Sequence, residues 1–388
     1  MCFFSRRALV FRTTALVTLS RSHGLSSLRV QDLLVKEAPS GGSSFEVLNP
    51  ATEEVLARLP DLGREDALRA IDVAEGAFEA FSRRTTSRER SRLLRRFYDA
   101  VTANEDELAT LMTLESGKPK KESLGEVRYG ASFLEWFAEE GPRAVGRLDT
   151  GGGPLGALAT SKKAVGVAAM ITPWNFPLAM ITRKCGAALA VGCPVVVKPA
   201  EDTPLTALAL AQLAEEIYSI PGVFNVVPCG RHNAKAVGDA FCESTKVRAL
   251  SFTGSTAVGK ELYAKCAGTV KKLGLELGGN APFLVLSDAD LDVAVECAMA
   301  SKFRNAGQTC VSADRFIIQG PRERYDAFRE KLAAKIRADL VLGNPMDPTT
   351  TVGPLISKRA ADRVRAILKR SDFSQVEAFH EAEASRLG

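Results

Sequence analysis

The chain has 388 residues, 46% of them hydrophobic and 25% charged, and carries a formal net charge of +5. This is ordinary globular composition in a chain long enough for two or more domains. No apolar run approaches the length of a membrane span, and the eight cysteines lack metal-ligand spacing. We therefore predict free thiols in a reducing compartment, with no membrane insertion and no metal site.

The positive charge is concentrated in residues 1–31, which hold five arginines but no lysine and no acidic residue. Removing these five from the 51 basic residues leaves 46, equal to the 46 acidic residues, so the remaining body is neutral. A neutral body gives no reason to expect nucleic-acid binding. An arginine-rich, acid-free leader with interspersed Leu, Val and Phe is typical of a mitochondrial transit peptide. We predict removal of residues 1–31 and a matrix location; the alternative is a tail without a targeting role.

The first part of the body is predicted to contain two strands and then a set of helices. Residues 44–50 and 54–57 are the strands, on either side of an Asn-Pro turn. The helices follow from apolar residues that recur every three or four positions. They are predicted over residues 64–81, 87–104, 105–116 and 121–140.

From residue 165 onward, short apolar strands alternate with helices, which indicates a parallel, doubly wound α/β sheet. The strands are predicted at 165–171, 195–198, 223–227, 249–253 and 271–277. Helices are predicted to start after Pro177, Pro204, Asn233 and Ser255. A second unit is predicted to begin near Phe283. It contains helices at 293–303, 323–339 and 358–369 and a strand at 315–318.

Three residue types in the chain suit the oxidation of an aldehyde. Cys310 follows a Gly-Gln-Thr turn, Glu276 ends an apolar strand, and Asn175 lies in the string Pro-Trp-Asn-Phe-Pro. A thiol becomes a strong nucleophile where a base is near, a carboxylate can be that base, and a side-chain amide can stabilise an oxyanion. Taken singly, they could be a buried cysteine, a solvated carboxylate and a turn residue.

Five motifs, in this order, resemble those of the aldehyde dehydrogenase superfamily over roughly residues 44–369. They are Pro-Trp-Asn, Lys-Pro-Ala-Glu, Phe-Thr-Gly-Ser, Glu-Leu-Gly-Gly and Gly-Gln-Thr-Cys. The resemblance implies a doubly wound NAD-binding domain (32–282), an oligomerisation hairpin near 145–165 and an α/β catalytic domain (283–388). It also implies that Cys310 forms a thiohemiacetal and then a thioester, with Glu276 as base and Asn175 as oxyanion donor.

The resemblance further implies an NAD site without the usual Gly-x-Gly-x-x-Gly fingerprint, which the chain lacks. Ser255, after the Phe-Thr-Gly turn, would offer its hydroxyl and the following helix its N–H groups to the pyrophosphate. Lys198 and Glu201 would hold the adenosine ribose. A carboxylate there would repel a 2′-phosphate, which favours NAD over NADP. The other residues that the resemblance assigns to the cofactor are Thr172, Pro173, Trp174, Gly254, Gly259 and Leu277.

Two arginines indicate the class of substrate. Arg183 lies eight residues after Asn175, and Arg304 lies six residues before Cys310. Two guanidinium groups beside the nucleophile could bind a second carboxylate at the far end of the aldehyde. The sequences around both arginines resemble the succinate-semialdehyde dehydrogenase subfamily, in which these positions bind the substrate carboxylate. The implied reaction is the oxidation of succinate semialdehyde to succinate in GABA catabolism.

The end of the chain leaves alternatives open. The family's Glu-x-Phe-Gly-Pro segment has no counterpart before Gly388, and the text departs from the family after about Lys369. We therefore expect a C-terminally truncated catalytic domain. The alternatives are an enzyme for another aldehyde, or a catalytically impaired chain that only binds NAD or full-length subunits. The resemblance implies a homo-oligomer for the complete family member.

Overall fold

The residues that the computed structural model describes are 28, 33–34, 42–151 and 156–370. The predicted transit peptide, residues 1–31, lies outside the described residues except for Leu28. The Leu28 side chain is only 2% exposed, and its N–H donates a 2.7 Å hydrogen bond to Oδ1 of Asn104. A removable leader over residues 1–31 stays a prediction.

The continuous part of the structure opens with an antiparallel hairpin of β1 (Ser44–Leu48) and β2 (Val55–Pro60). Asn49 closes its turn with two backbone hydrogen bonds. Its N–H donates to the carbonyl of Glu54 (2.9 Å), and its carbonyl accepts from the N–H of Glu53 (2.8 Å). The prediction of two strands around an Asn-Pro turn is confirmed.

Four helices follow, each within two residues of its predicted bounds at either end. They are α1 (Arg64–Arg83), α2 (Ser87–Ala103), α3 (Glu105–Ser116) and α4 (Lys120–Glu140). A capping box opens α2, in which Thr86 Oγ1 accepts from the N–H of Glu89 (3.2 Å) and the Glu89 carboxylate accepts from the N–H of Thr86 (2.6 Å). Gly117, at φ 75°, ends α3 in the left-handed conformation that glycine adopts without strain.

The centre of the molecule is a sheet of five parallel strands with four connecting helices. The strands lie in the order β7-β6-β5-β8-β9, with parallel pairing throughout. They are β5 (Val167–Ile171), β6 (Val195–Lys198), β7 (Phe224–Val226), β8 (Val247–Thr253) and β9 (Lys272–Glu276). The helices are α5 (Ala179–Ala190), α6 (Leu205–Ile217), α7 (Ala234–Glu243) and α8 (Thr256–Cys266). The predicted doubly wound α/β architecture is confirmed.

Both faces of this sheet are covered by helices, which explains why its strands read as continuous apolar runs. Along β5, Val167 and Ala169 point into the core formed with α1, α7 and α8. The alternate residues Ala168 and Met170 point into the core formed with α2 to α6. Successive strand side chains point to opposite faces, so a strand buried on both faces needs apolar residues at every position.

The predicted oligomerisation hairpin coincides with a two-stranded antiparallel sheet of β3 (Arg147–Asp149) and β4 (Leu158–Thr160). Both strands are exposed along their whole length, including the apolar side chains of Leu148 (68%) and Leu158 (62%). Residues 152–155 of the hairpin lie outside the described part. An exposed apolar hairpin suits a subunit contact, and that role stays a prediction.

The second unit has two parallel strands, β10 (Ala281–Val285) and β11 (Ala313–Ile318). Its helices are α9 (Leu291–Lys302), α10 (Arg322–Asp339) and α11 (Lys358–Arg370). Strand β10 was not predicted, because its first residues include a proline and its apolar run is short. It contains the predicted domain boundary at 282/283, so we propose that the boundary lies in the preceding loop, at 277–280.

None of the described helices combines the length and apolarity that crossing a bilayer requires. The seven cysteines in the described residues are free thiols.

A buried carboxylate joins α3 to the start of α6. Oε2 of Glu115 accepts from the N–H of Leu205 (2.7 Å), and Oε1 accepts from the N–H (3.0 Å) and hydroxyl of Thr206. Glu115 is fully buried, and desolvation raises its pKa to about 7 even though the three hydrogen bonds act to lower it. The ordinary pKa of this group is 4.5. The folded state therefore binds the proton more tightly than the unfolded state.

We expect Glu115→Gln to remove a pH dependence of stability. Because the folded pKa is raised, the contribution of Glu115 is fully present below about pH 4.5 and is lost as the pH rises through about 7. Between pH 5.5 and pH 8 the wild type should lose on the order of 2 kcal/mol that the variant keeps. Urea unfolding at both pH values measures the difference. Glu75→Gln, an exposed change on α1, is the control, and identical pH dependence in the wild type and Glu115→Gln would contradict the assignment.

Candidate active site

The predicted site residues meet at the carboxyl edge of the sheet. In the paired strands Ile171 lies opposite both Lys198 and Phe252, and Thr253 lies opposite Glu276. The segments that follow β5, β6, β8 and β9 therefore leave the sheet side by side. In doubly wound folds, ligands bind outside this edge.

The turn that carries Cys310 lies between α9 and β11. Within it Asn305 and Ala306, both at φ 53°, and Gly307, at φ 75°, are three successive residues in the left-handed region. For residues other than glycine this conformation costs of order 1–3 kcal/mol each and is found mainly at functional sites. The thiol of Cys310 at the end of this turn is exposed. The turn therefore presents the predicted nucleophile to solvent.

Asn175 is hydrogen-bonded to the same turn through both its side chain and its main chain. Its side-chain Nδ2 donates to the carbonyl of Gln308 (3.0 Å), and its main-chain carbonyl accepts from Nδ2 of Asn305 (3.2 Å). That carbonyl also accepts from Nζ of Lys118 (2.6 Å). The predicted oxyanion donor is thus bonded to a residue two positions before the predicted nucleophile, Cys310, although 135 positions separate the two in the chain.

One face of α4 supports the site, and its residues were not among the predicted ones. Glu122 accepts from the N–H of Asn305 (2.8 Å), and burial raises the pKa of Glu122. Glu126 accepts through Oε1 from the N–H groups of Leu178 (3.0 Å) and Ala179 (3.2 Å) at the start of α5. Tyr129 lies further along the same face. The spacing 122, 126, 129 places all three on one side of the helix, and polar residues within its apolar stripe were the signal that could have revealed them.

Glu126 also forms an ion pair with Lys118, and both side chains are only 1% exposed. The Lys118 ammonium lies 4.5 Å above the ring of Phe176. Buried charges of this kind are retained in folded proteins when they are paired and hydrogen-bonded. The pair connects α4 to the segment that carries Asn175.

The predicted base and one predicted substrate arginine contact each other. Nη1 of Arg183 donates to Oε2 of Glu276 at 2.7 Å, and Nη2 donates to the hydroxyl of Tyr129 at 2.8 Å. The guanidinium lies 5.2 Å from the ring centre of Phe133. Burial lowers the pKa of Arg183, but the charges of Glu276 and Tyr129 raise it, and the pKa is above its ordinary value overall.

Lys184, the residue after Arg183, is a further buried cation that sequence reasoning missed. Its Nζ donates to Oγ of Ser251 at 3.0 Å. Burial lowers its pKa to about 8, although the charge of Glu276 acts to raise it. A lysine within the apolar side of a predicted helix was the available signal.

The second predicted substrate arginine, Arg304, is exposed. Its guanidinium lies 5.0 Å above the ring of Phe176, the residue after Asn175. Arg183 and Arg304 therefore both lie in contact with aromatic residues of the site. The geometry places two guanidinium groups at the edge that also holds the predicted nucleophile.

The residues predicted for the cofactor surround the exposed amino end of α8. Ser255 is the N-cap, and its Oγ accepts from the N–H of Val258 (3.4 Å). A Cβ at Gly254 would lie 2.5 Å from the ring of Phe252, and one at Gly259 would lie 2.5 Å from Leu277. A side chain at either glycine would therefore require Phe252 or Leu277 to shift. Within the described residues, the buried hydroxyl of Thr253 has no hydrogen-bond partner.

The predicted ribose residues follow β6. Lys198 is 4% exposed, and its Nζ donates to the carbonyl of Pro199 (3.0 Å). Glu201 is half-buried beside Asp202, whose pKa is raised to about 6 by burial and by the charge of Glu201. Thr172, Pro173 and Trp174 follow β5, next to this loop. An exposed helix N-terminus, close-packed glycines and a half-buried carboxylate together fit a dinucleotide.

Within the described residues, no group of three or more His, Cys, Asp or Glu side chains is placed to hold a metal ion.

The whole-chain comparison identifies the class of protein that this fold and site define. The profile of the aldehyde dehydrogenase family matches residues 37–385. The chain belongs to the aldehyde dehydrogenase family, as its five ordered motifs predicted.

Two individual relatives are about half identical to the chain in sequence. The chain is 49% identical over 339 residues to the mitochondrial succinate-semialdehyde dehydrogenase of Rattus norvegicus, covering 86% of this chain and 64% of the rat protein. It is 50% identical over 324 residues to the glutarate-semialdehyde dehydrogenase of Pseudomonas putida, covering 84% of this chain and 66% of that protein. The chain thus spans just under two thirds of the length of these relatives.

Two solved structures have a fold similar to that of the chain. The crystal structure of succinate-semialdehyde dehydrogenase from Burkholderia pseudomallei has a TM-score of 0.79 and 50% identity, covering 84% of this chain and 66% of that one. An NADP-dependent enzyme of E. coli has a TM-score of 0.81 and 48% identity over the same shares. The predicted fold class is confirmed by both structures.

Proposed function

We propose that the protein carrying this chain oxidises succinate semialdehyde to succinate with NAD+. The observation that carries the proposal is the exposed thiol of Cys310 on a turn bonded to Asn175, with Arg183 and Arg304 at the same edge of the sheet. Two relatives named for semialdehydes of four- and five-carbon dicarboxylic acids, at 49% and 50% identity, support this class of substrate.

In the proposed reaction the thiolate of Cys310 bonds to the aldehyde carbon. Nδ2 of Asn175 donates to the oxygen that gains negative charge, together with the backbone N–H of Cys310. NAD+, held by the residues around Ser255 and Lys198, would supply the hydride acceptor. Loss of the hydride from the thiohemiacetal would leave a thioester on Cys310. Glu276 takes the proton from the thiol and releases it to solvent before the second half of the reaction. It then takes a proton from the water that hydrolyses the thioester and returns that proton to the departing thiolate of Cys310. The products are the carboxylic acid and the free thiol.

The choice of NAD+ rests on Glu201. A carboxylate that bonds the ribose hydroxyls would repel a 2′-phosphate. The pKa of its neighbour Asp202 is raised by burial and, to a smaller extent, by the charge of Glu201. The residues proposed to hold the cofactor are those around Ser255 and Lys198. An NADP-dependent relative at 48% identity makes this choice a real alternative.

We also propose a mitochondrial location and a homo-oligomer. The location is supported by the acid-free arginine leader and by the printed name of the rat relative, although bacterial relatives are as similar. The oligomer is supported by the exposed apolar hairpin β3–β4.

The substrate assignment is tested with Arg304→Ala. If Arg304 binds the distal carboxylate, its loss should lower kcat/KM for succinate semialdehyde roughly tenfold, mainly by raising KM, because a charge-assisted hydrogen bond is removed. Oxidation of butanal, which has no carboxylate, should be unchanged. NADH formation measures both rates, with Arg322→Ala on α10 as a matched control. Equal losses for both aldehydes would show that Arg304 supports the fold and not the choice of substrate.

The same assay separates the four-carbon from the five-carbon substrate. The Pseudomonas relative favours glutarate semialdehyde as the second candidate. The higher kcat/KM of the two in the wild type decides between them.

A further inference from the structure

Glu276, the predicted base, is hydrogen-bonded to another residue of the site. Oε2 of Glu276 accepts a 2.7 Å hydrogen bond from Nη1 of Arg183, and the two residues lie on different elements, β9 and α5. The side chains are 47% and 27% exposed, so a small ligand can reach the contact. The residue proposed to take protons is thus bonded to a residue proposed to bind substrate.

The other donors of Arg183 are partly engaged. Nη2 donates to the hydroxyl of Tyr129 (2.8 Å), and Phe133 packs under the guanidinium. Nε is buried and has no hydrogen-bond partner among the residues that the structure describes. Nη1 is the donor that already binds a carboxylate, through Glu276. A second carboxylate that binds Nη1 in the usual charge-assisted way competes with Glu276 for this position.

Helix α4 connects Arg183 to the nucleophile turn. Tyr129, which contacts Arg183, and Glu122, which contacts Asn305 on that turn, are seven residues apart on one face of α4. Seven residues of helix span about 10 Å along the axis, so the two ends of the site are close together. Lys184, beside Arg183, keeps a cation near the released carboxylate.

We propose that the distal carboxylate of the substrate displaces Glu276 from Arg183 and thereby releases the base that the reaction needs. This rests on the proposed function of the site, and it adds a selection step to it. An aldehyde with a carboxylate frees its own base, whereas an uncharged aldehyde leaves Glu276 bonded to Arg183. Partly exposed ion pairs are weak, so exchange of one carboxylate for another is readily reversible.

The test measures the reactivity of Cys310 and needs neither cofactor nor turnover. The purified chain is treated with iodoacetamide at pH 7.5, and alkylation of each cysteine is followed by mass spectrometry. Acetate is the probe, because it carries the carboxylate but is too short to fill the aldehyde site, and acetamide at equal ionic strength is the neutral control. Cys297, an exposed thiol on α9, is the internal reference.

We expect acetate to accelerate alkylation of Cys310 about three- to tenfold with saturation, and to leave Cys297 unchanged. In Arg183→Met the Cys310 rate should already be high and should no longer respond to acetate. Adding Glu276→Gln to Arg183→Met should make the rate slow again, because the released base is then missing. Arg304→Ala should keep the acetate response, which separates the two arginines. The buried Cys185, which should stay unalkylated, reports that each variant is folded.

Equal alkylation rates of Cys310 in acetate and in acetamide, measured on the wild type alone, would overturn the proposal. So would an Arg183→Met protein that still responds to acetate. The proposed function is judged separately. Oxidation of succinate semialdehyde without an acetate effect would remove only the displacement step, whereas an acetate effect in a protein that oxidises no aldehyde would remove only the proposed function.

Discussion

Replacing Cys310 by Ala is expected to lower aldehyde-dependent NADH formation more than about a thousandfold, because the methyl side chain cannot bond to the aldehyde carbon. The thiol is exposed, so its removal leaves no buried cavity and should not change the unfolding midpoint. Binding of NAD+, followed by the quenching of tryptophan fluorescence, should also persist. The measurement is the initial rate of NADH formation at saturating substrate in the protein carrying this chain.

The control for this change is Cys297→Ala. Cys297 is the other exposed cysteine in the described residues, and it lies on α9 outside the predicted site. Its loss should leave the rate within twofold of the wild type. Turnover that survives in Cys310→Ala, or equal losses in the two variants, would remove Cys310 as the nucleophile.

The largest effect on stability is expected at the buried pair of Lys118 and Glu126. Both side chains are 1% exposed, so either single change leaves an uncompensated charge inside the protein. Lys118→Met or Glu126→Gln should each lower the free energy of unfolding by about 3–5 kcal/mol. The double variant should lose less than the sum of the two, because no charge is left unpaired. Urea unfolding of the four proteins gives the coupling directly.

The same variants should also affect the site. Lys118 donates to the carbonyl of Asn175, and Glu126 accepts from the first N–H groups around α5. Loss of either should shift the oxyanion donor and lower kcat more than it raises KM. Lys235→Met, at a lysine that is 68% exposed, is the control and should cost less than about 1 kcal/mol. Additive losses across the pair would show that the two residues stabilise the fold independently.

Much of the fold follows from local patterns. Strand β6 was predicted with its observed bounds, because a strand buried on both faces is apolar at every position. The first four helices followed from their periodicity, and glycine ended α3 where the pattern indicated. Strand β10 was missed because Pro282 interrupts a short run, which gives neither a clear alternation nor the length of a helix.

The site could be predicted only in part. Cys310, Glu276 and Asn175 were predicted from their motifs. Asn175 and Glu276 follow strands that end at one edge of the sheet, and the Asn175–Gln308 hydrogen bond joins the turn of Cys310 to them. The pairing of Glu276 with Arg183 joins residues 93 positions apart, and no local pattern specifies such a contact. The contacts that α4 makes to the site were missed for the same reason. Glu126 accepts hydrogen bonds from N–H groups that lie 52 and 53 positions further along the chain.

The left-handed residues 305 and 306 were also unforeseen. Neither is a glycine. Asparagine tolerates this conformation, but alanine gives no signal for it. Their geometry depends on the bonds that Glu122 and Asn175 make to the turn, which exist only once α4 and the sheet have packed together.

The central claim is that this site oxidises an aldehyde that carries a distal carboxylate. The most direct measurement is kcat/KM for NADH formation by the protein carrying this chain, with succinate semialdehyde and butanal compared at saturating NAD+. We predict a kcat/KM at least tenfold higher for succinate semialdehyde, because only that substrate contacts Arg183 and Arg304 with its second charge. An equal or higher value for butanal, or no NADH with either aldehyde, would contradict it.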